Sequence, residues 1–275
     1  MTAGTDLDQN LRKRKLKTKK RRRRLISLAA IGLLCFCLMK WMPWDKAPVL
    51  GQHGEQSVNQ LIARNVSKPK PEGKIVYLTF DDGPSEWTEE FLDVLQQYGV
   101  KATFFMQGSN LQRKELQSVV KRAADEGHYI GGHSMTHQYN RLYEERQFVS
   151  EMKDNLAFIH EITGKQPNLV RPPYGSAPGL DDKMLRDQIA QEGIKIWDWT
   201  IESNDWQLKD HPEQIVENIK QATKVDLEVV LMHEKPQTLQ VLPEIIEFYE
   251  EEGYQFGVYD DNEHFHLNFQ KDHRL

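Results

Sequence analysis

From residue 74 onward the chain alternates between two kinds of apolar pattern. Compact runs rich in β-branched and aromatic residues lie at 75–80, 102–106, 129–130, 169–170, 194–199, 227–232 and 254–259. Runs of this length and composition read as buried strands. Between them, apolar residues recur at helical spacing and predict helices over 87–97, 115–125, 144–163, 182–191, 212–222 and 242–252. Gly99, Gly127, Gly164, Gly193 and Gly253 each follow the end of one of these helices, as a C-terminal stop does. An alternation repeated about seven times argues a parallel α/β sheet, either a barrel or doubly wound. No internal sequence repeat is visible. In α/β barrels the reactive side chains sit at the C-terminal ends of strands, so chemistry is sought just after each predicted strand.

The first 73 residues follow a different pattern. Residues 1–24 hold eleven Lys/Arg against Asp6 and Asp8, so the rest of the chain is more acidic than the net charge of −5 indicates. A cationic tail on an acidic body argues against nucleic acid as a partner of the body. The basic stretch abuts an apolar run, 25–39, followed by Trp41 and Trp44. Positive charge on one flank and aromatics on the other describe a transmembrane signal-anchor over 25–44, with residues 1–24 as its cytoplasmic tail. The apolar run is shorter than the roughly 20 residues of a comfortable span, but Lys40 can snorkel and Trp41–Met42 extend it. A cleaved signal peptide, and hence secretion, is the competing reading. The stretch after the apolar core, Met39 to Trp44, has no small-residue cleavage pattern. Either way the body lies outside the cytoplasm. Residues 45–73 read as a linker with a short helix near 58–64, 74–260 as the globular domain that would hold any active site, and 261–275 as a polar tail expected to fray. Cys35 and Cys37 both fall in the apolar run, so any metal in the body must be held by His and carboxylate.

Five polar groups follow predicted strands. The first is Thr79-Phe80-Asp81-Asp82-Gly83-Pro84. Its carboxylates could serve as metal ligand and base, or the segment is simply a turn. The second is His133-Ser134-Met135-Thr136-His137. Two histidines four apart share a face if the chain turns helically and suit zinc, or they are an exposed pair. The third, Arg171-Pro172-Pro173-Tyr174-Gly175, offers a cation that could clamp a carboxylate, or is a rigid loop. The fourth, Asp205-Trp206, could orient a histidine and wall a pocket, or form a surface turn. The fifth, Leu231-Met232-His233-Glu234, closes the most apolar strand and puts a histidine where acid–base work is done, or a satisfied histidine at the core's edge. Each group alone is modest. All five at strand ends in one array would converge on one face.

Together, TFDDG, HSMTH, RPPY, the Asp-Trp element and LMH resemble the motif series of polysaccharide deacetylases, carbohydrate esterase family 4 (the NodB-homology domain), across about 74–259. The resemblance implies a distorted, incomplete (β/α) barrel. It implies one divalent metal, zinc with cobalt or nickel as alternatives, held by Asp82, His133 and His137. It makes Asp81 the general base and Arg171 the residue that positions it. His233 would be the general acid, oriented by Asp205. Tyr174, through its backbone N–H, would bind the oxyanion, and Trp206 and Leu231 would frame the acetyl methyl. Two positions depart from the pattern: Glu202 stands where Asp is frequent three residues before Asp205, and Glu234 where Asp is frequent after His233. His128, His160, His211, His264, His266 and His273 match no motif and read as structural or exposed.

The activity implied is removal of N-acetyl groups from a polysaccharide, with N-acetylglucosamine or N-acetylmuramic acid of peptidoglycan the substrate expected of an outward-facing enzyme. O-deacetylation of xylan and an inactive sugar-binding module are the alternatives, and no obligate protein partner is evident. A glycosidase also uses two carboxylates, flanking the bond. Asp81 and Asp82 are neighbours in an extended segment, where side chains point to opposite faces, and so make no natural flanking pair.

Overall fold

The structure, a computed structural model, describes residues 73–275. The basic stretch, the apolar segment 25–44 and the linker with its short helix lie outside the described residues, save Gly73. Among the described residues no helix is long and apolar enough to cross a membrane.

Eight strands form one sheet: β1 Lys74–Gly83, β2 Thr103–Met106, β3 Tyr129–Gly132, β4 Leu169–Val170, β5 Lys195–Ile196, β6 Ile201–Glu202, β7 Leu227–His233 and β8 Tyr254–Gly257. The order is β5-β4-β3-β2-β1-β7-β6, every pairing is parallel, and β8 pairs with the first half of β1. The helices α1 Thr88–Gln97, α2 Lys114–Asp125, α3 Phe148–Thr163, α4 Lys183–Gln191, α5 Pro212–Ala222 and α6 Pro236–Glu251 fill the crossovers. This is a curled half-barrel of parallel strands. Both faces of β1 are covered, which explains its almost unbroken apolar run. Val76, Leu78 and Phe80 pack with Phe91, Leu92 and Leu95 of α1, while Tyr77 packs on the other side with Phe105, Trp197 and Tyr259.

The register positions the site. Asp81 at the end of β1 pairs directly with His233 at the end of β7, and Glu202 on β6 pairs with Leu231. The β1–β2 register shifts between Asp81 and Gly83. Asp82, the residue at that bulge, has φ 66°. A bulge re-aims a side chain.

Three elements differ from expectation. The strand expected over 194–199 is reduced to β5, and a second short strand, β6, follows at 201–202, because the chain leaves β4 after Ile196 and joins β7 at Ile201. No helix separates them, so one segment supplies both free edges of the curled sheet and the barrel stays incomplete. The helix expected from 144 starts at Phe148, preceded by a π-helical turn at Asn140–Glu144. The helix expected from 242 starts at Pro236, where proline fits the first turn. Pro243 costs one ladder bond inside it, but buried Thr238, Val241 and Leu242 hold the helix through that point.

The tail does not fray. Leu275 is fully buried, Leu267 bridges to Trp197, and the Trp197 indole donates to Phe265 O at 3.0 Å. Removing residues 264–275 uncovers Trp197 and Leu275's site. A fully buried large apolar side chain is worth about 1.5–3 kcal/mol, and each kcal/mol is worth about 2–4 °C in a domain of this size. Thermal unfolding of the truncated chain is therefore expected to drop by about 5 °C or more; an unchanged midpoint would contradict a docked tail.

Candidate active site

Eleven residues from six strand ends and loops line one pocket of about 470 Å³: Asp81, Asp82, His133, His137, Pro172, Tyr174, Trp199, Glu202, Trp206, Leu231 and His233. Eight of the ten sequence-derived candidates line it, and the other two, Arg171 and Asp205, stand directly behind, bonded to Asp81 and His233. The expectation that Asp81 and Asp82 face opposite ways is corrected. The bulge turns Asp82 back, and both carboxylates approach His133 Nε2, at 3.8 and 3.6 Å.

Asp82, His133 and His137 present one donor atom each, all within 4.8 Å of one another. Asp82 Oδ1 lies 3.6 Å from His133 Nε2 and 3.5 Å from His137 Nε2. His133 Nδ1 sits 2.7 Å from Arg171 O. A carbonyl only accepts, so Nδ1 carries the proton and Nε2 keeps its lone pair for a ligand. Burial and the neighbouring His133 hold the His137 pKa below its usual value, despite the opposing pull of Asp82. Burial would raise the Asp82 pKa, but His133, His137 and His233 outweigh it and hold the carboxyl below the usual range. A carboxylate and two neutral imidazoles form a donor set that fits a divalent cation.

On one side of these three residues is Asp81, 3% exposed, which accepts from Arg171 Nη1 at 2.8 Å. Arg171 is fully buried. Its Nη1 also donates to Thr79 Oγ1 at 2.6 Å, its Nη2 to Asp198 O at 2.8 Å and its Nε to Trp197 O at 3.2 Å. The guanidinium lies over the Phe105 ring, 4.3 Å from its centroid. On the other side is His233, whose Nδ1 is 2.7 Å from Asp205 Oδ1. Asp205 is fixed in turn by His233 N at 2.7 Å, Thr238 Oγ1 at 2.5 Å and Gln237 Nε2 at 2.8 Å. Burial pulls the His233 pKa down, but the bond to Asp205 and the charges of Asp205, Asp81 and Asp82 outweigh it and push it up to about 9.

The loops holding the site depend on buried groups that no motif flagged. Glu151 accepts from Thr136 N, Thr136 Oγ1 and Arg141 Nε, which fixes the loop between the two histidines. Asn155 Oδ1 accepts from His133 N at 2.9 Å. Asp198 accepts from Ser176 N at 2.8 Å and Phe269 N at 2.6 Å. Glu234 Oε2 accepts from Ser85 N at 3.1 Å, Ser85 Oγ at 3.0 Å and Thr88 Oγ1, tying the end of β7 to the turn after Asp82. Its other oxygen, Oε1, has no partner among the described residues and lies against Gly83, where a Cβ would overlap it. Burial pushes this carboxyl up to about 7, although Thr88 and Ser85 pull it down. Glu234 was visible in the sequence only as a departure from pattern. Glu151 and Asn155 had the weaker signal of polar residues on the buried face of a helix.

Two outcomes follow from this geometry. Gly83→Ala must dislodge Glu234 and loosen Asp82, so titration with zinc or cobalt is expected to show affinity lowered by about 10–100-fold, the usual effect of disturbing a ligand's support. In a Glu234→Ala background the same substitution should cost much less, since the overlap is gone. In the metal-free protein the His233 imidazole should titrate near 9 by NMR, and Asp205→Asn should bring it down toward or below 6.5. Because the folded value is raised, the pairing stabilises the fold fully below pH 6.5 and is lost as pH rises through about 9. Equal stability of wild type and Asp205→Asn across that window would contradict the pairing.

A family model described as polysaccharide deacetylase matches residues 68–197. A peptidoglycan-N-acetylglucosamine deacetylase of Bacillus cereus is 39% identical over 263 residues, 91% of this chain and 95% of that protein. The crystal structure of the polysaccharide deacetylase Bc1974 from Bacillus cereus superposes with a TM-score of 0.71 at 44% identity, over 74% of this chain and all of that one. The Xyl-CE4 domain of a multidomain xylanase from a termite hindgut metagenome (Trinervitermes trinervoides) gives a TM-score of 0.60 at 33% identity, over 68% of this chain and 88% of that one. With the five motifs gathered in one pocket and a relative matched almost end to end, the chain belongs to the polysaccharide deacetylase family.

Proposed function

We propose that the chain is a metal-dependent hydrolase that removes N-acetyl groups from N-acetylglucosamine or N-acetylmuramic acid units of peptidoglycan. The observation that carries this reading is the pairing of Asp81 with Arg171 and of His233 with Asp205, on either side of Asp82, His133 and His137. The second pole of the reading is the relatives, several of which are named for peptidoglycan deacetylation, one acting on N-acetylglucosamine and another, in Bacillus subtilis, on N-acetylmuramic acid.

Asp82, His133 and His137 would hold the metal, zinc by donor type, with cobalt and nickel also suited to the set. A divalent metal in such a site polarises a carbonyl oxygen and lowers the pKa of water. Asp81, held still by Arg171, accepts a proton from the attacking water. The water oxygen bonds to the amide carbonyl carbon, and the Tyr174 backbone N–H donates to the oxygen that becomes negative. His233, protonated at Nε2 and oriented through Nδ1 by Asp205, gives its proton to the amine nitrogen as the C–N bond breaks. An amine leaves poorly unless protonated, so an acid on that side is required. The products are acetate and a free amino sugar. Trp206 and Leu231 enclose the methyl group of the acetyl.

The raised His233 and the complete set of partners favour catalysis over a sugar-binding module that has lost activity. Acetate release should be abolished by a chelator and restored by zinc or cobalt, and Asp81→Asn should lower it by about 10²–10⁴-fold. Measured across peptidoglycan, N-acetylglucosamine oligomers and acetylated xylan, release from xylan alone would overturn the N-deacetylase reading. Residues 25–44 are proposed to anchor the chain with the domain outside the membrane. The full chain should then stay in the membrane fraction after an alkaline wash, and a chain starting at residue 45 should not.

A further inference from the structure

The proposed reaction uses the floor of the pocket and leaves its mouth unexplained. Four large aromatic side chains in or next to its lining remain exposed: Tyr139 at 39%, Tyr174 at 56%, Trp206 at 58% and Phe269 at 44%. Tyr174 and Trp206 line the pocket itself. Tyr139 and Phe269 belong to no motif, yet both are built onto it. Tyr139 stands next beyond Tyr174: the His137 and Tyr174 rings are 4.9 Å apart, Tyr174 and Tyr139 5.6 Å, and Tyr139 and Tyr143 5.0 Å. Tyr143 is pinned by its hydroxyl to Pro173 O at 2.8 Å, so the row rests on the loop that carries Tyr174. Phe269 packs edge-on to Trp199, 5.0 Å between centroids, and Trp199 lines the pocket. Its backbone N–H donates to Asp198 Oδ2 at 2.6 Å and Ser176 Oγ at 3.0 Å. The docked C-terminal segment thus delivers this ring to the rim.

Apolar surface left in water without a use is a liability, and a cluster of it beside a polar cleft marks a binding surface. Edge-on packing covers one edge of a ring and leaves a face open. Such faces, on side chains with few rotors and fixed supports, are preorganised for a flat apolar partner. A pyranose ring is that partner, since its axial C–H groups form an apolar face while its hydroxyls point outward.

We propose that Tyr139 and Phe269 are platforms for the sugar rings flanking the unit whose acetyl group enters the pocket, so that the substrate is a glycan chain bound across several units. The inference rests on the deacetylase reading and deepens it. It makes chain length a determinant of specificity, set by residues outside the reacting groups. Each platform contributes through substrate affinity, so its loss appears in KM with little change in kcat.

The test compares acetate release from the disaccharide and the pentasaccharide of N-acetylglucosamine by the full chain and by Tyr139→Ala and Phe269→Ala. The pentasaccharide-to-disaccharide ratio of kcat/KM is expected to fall about tenfold in each variant, the effect of losing one well-packed aromatic contact. Tyr139→Trp and Phe269→Tyr should restore it. Because it is a ratio within one preparation, partial misfolding cancels. A ratio unchanged in both alanine variants while acetate is still released overturns the platform proposal and leaves the deacetylase reading standing. No acetate from either oligomer, nor from peptidoglycan, with metal-loaded wild type removes both.

Discussion

One buried guanidinium organises the centre of this fold. Arg171 is fully covered and reaches two separate segments: Thr79 and Asp81 on β1, and the carbonyls of Trp197 and Asp198 between β5 and β6. Its donors satisfy carbonyls in the segment that joins the two edge strands of the sheet. Its own carbonyl takes the His133 Nδ1 proton. One residue thus sets the position of Asp81 and the tautomer of His133. Breaking a buried ion pair by removing one partner costs about 3–5 kcal/mol, against a total stability of about 5–15 kcal/mol for a typical domain. The charge is therefore a structural necessity as well as part of the site, which is why Arg171 cannot be read as a simple surface clamp.

Strain is concentrated around the same centre. Among the described residues, seven non-glycine residues have positive φ, and Asp82, Ser134, His137, Tyr174 and Asn204 are five of them. Each such conformation costs about 1–3 kcal/mol. The surrounding hydrogen bonds offset this. Asn110 Nδ2 donates to Asp82 O, His137 N donates to Ser134 Oγ, and Tyr174 OH donates to His137 O, at 2.8, 2.8 and 3.0 Å. The result is a set of donors aimed inward before any ligand arrives, rather than one assembled on binding.

How much of this was legible depends on what each feature is made of. Strand ends and motif groups are local, so the apolar runs located them, and the alternation fixed the parallel arrangement. The bulge at Asp82 is not local. Period-2 reasoning sends Asp81 and Asp82 to opposite faces, and only the register shift against β2 brings them together. Likewise 194–199 reads as one strand because Ile194, Ile196, Trp197 and Trp199 are apolar; that the chain leaves the sheet after Ile196 and rejoins it at Ile201 is decided by β4 and β7. α6 starts six residues before the helix expected from 242 and runs through Pro243, since burial of the flanking residues outweighs one lost bond. The tail looked polar because its anchors, Phe265, Leu267 and Leu275, are spaced singly among polar residues, and their partners, Trp197 for the first two and the cluster around Leu185 and Ile196 for Leu275, lie far away in sequence. The supporting roles of Glu151 and Asp198 left no mark in the sequence, and Glu234 showed only as a departure from pattern: a buried carboxylate that receives several donors has the same letter as a surface one.

The electrostatic division within the pocket follows from these placements. His137 and His233 are both largely covered, and burial alone would lower both. His137 faces another imidazole as well as Asp82, and its pKa stays low. His233 has Asp205 bonded to Nδ1 and two further carboxylates in range, and its pKa rises to about 9. Two histidines of one pocket are thus driven apart, one toward the neutral form that can ligate and the other toward the protonated form that can donate. Environments that separate paired titratable groups in this way assign acid and ligand without any difference in residue type. The difference arises from register. Asp81 and His233 are cross-strand neighbours, so one of the carboxylates that raise His233, after Asp205, is the one that Arg171 fixes.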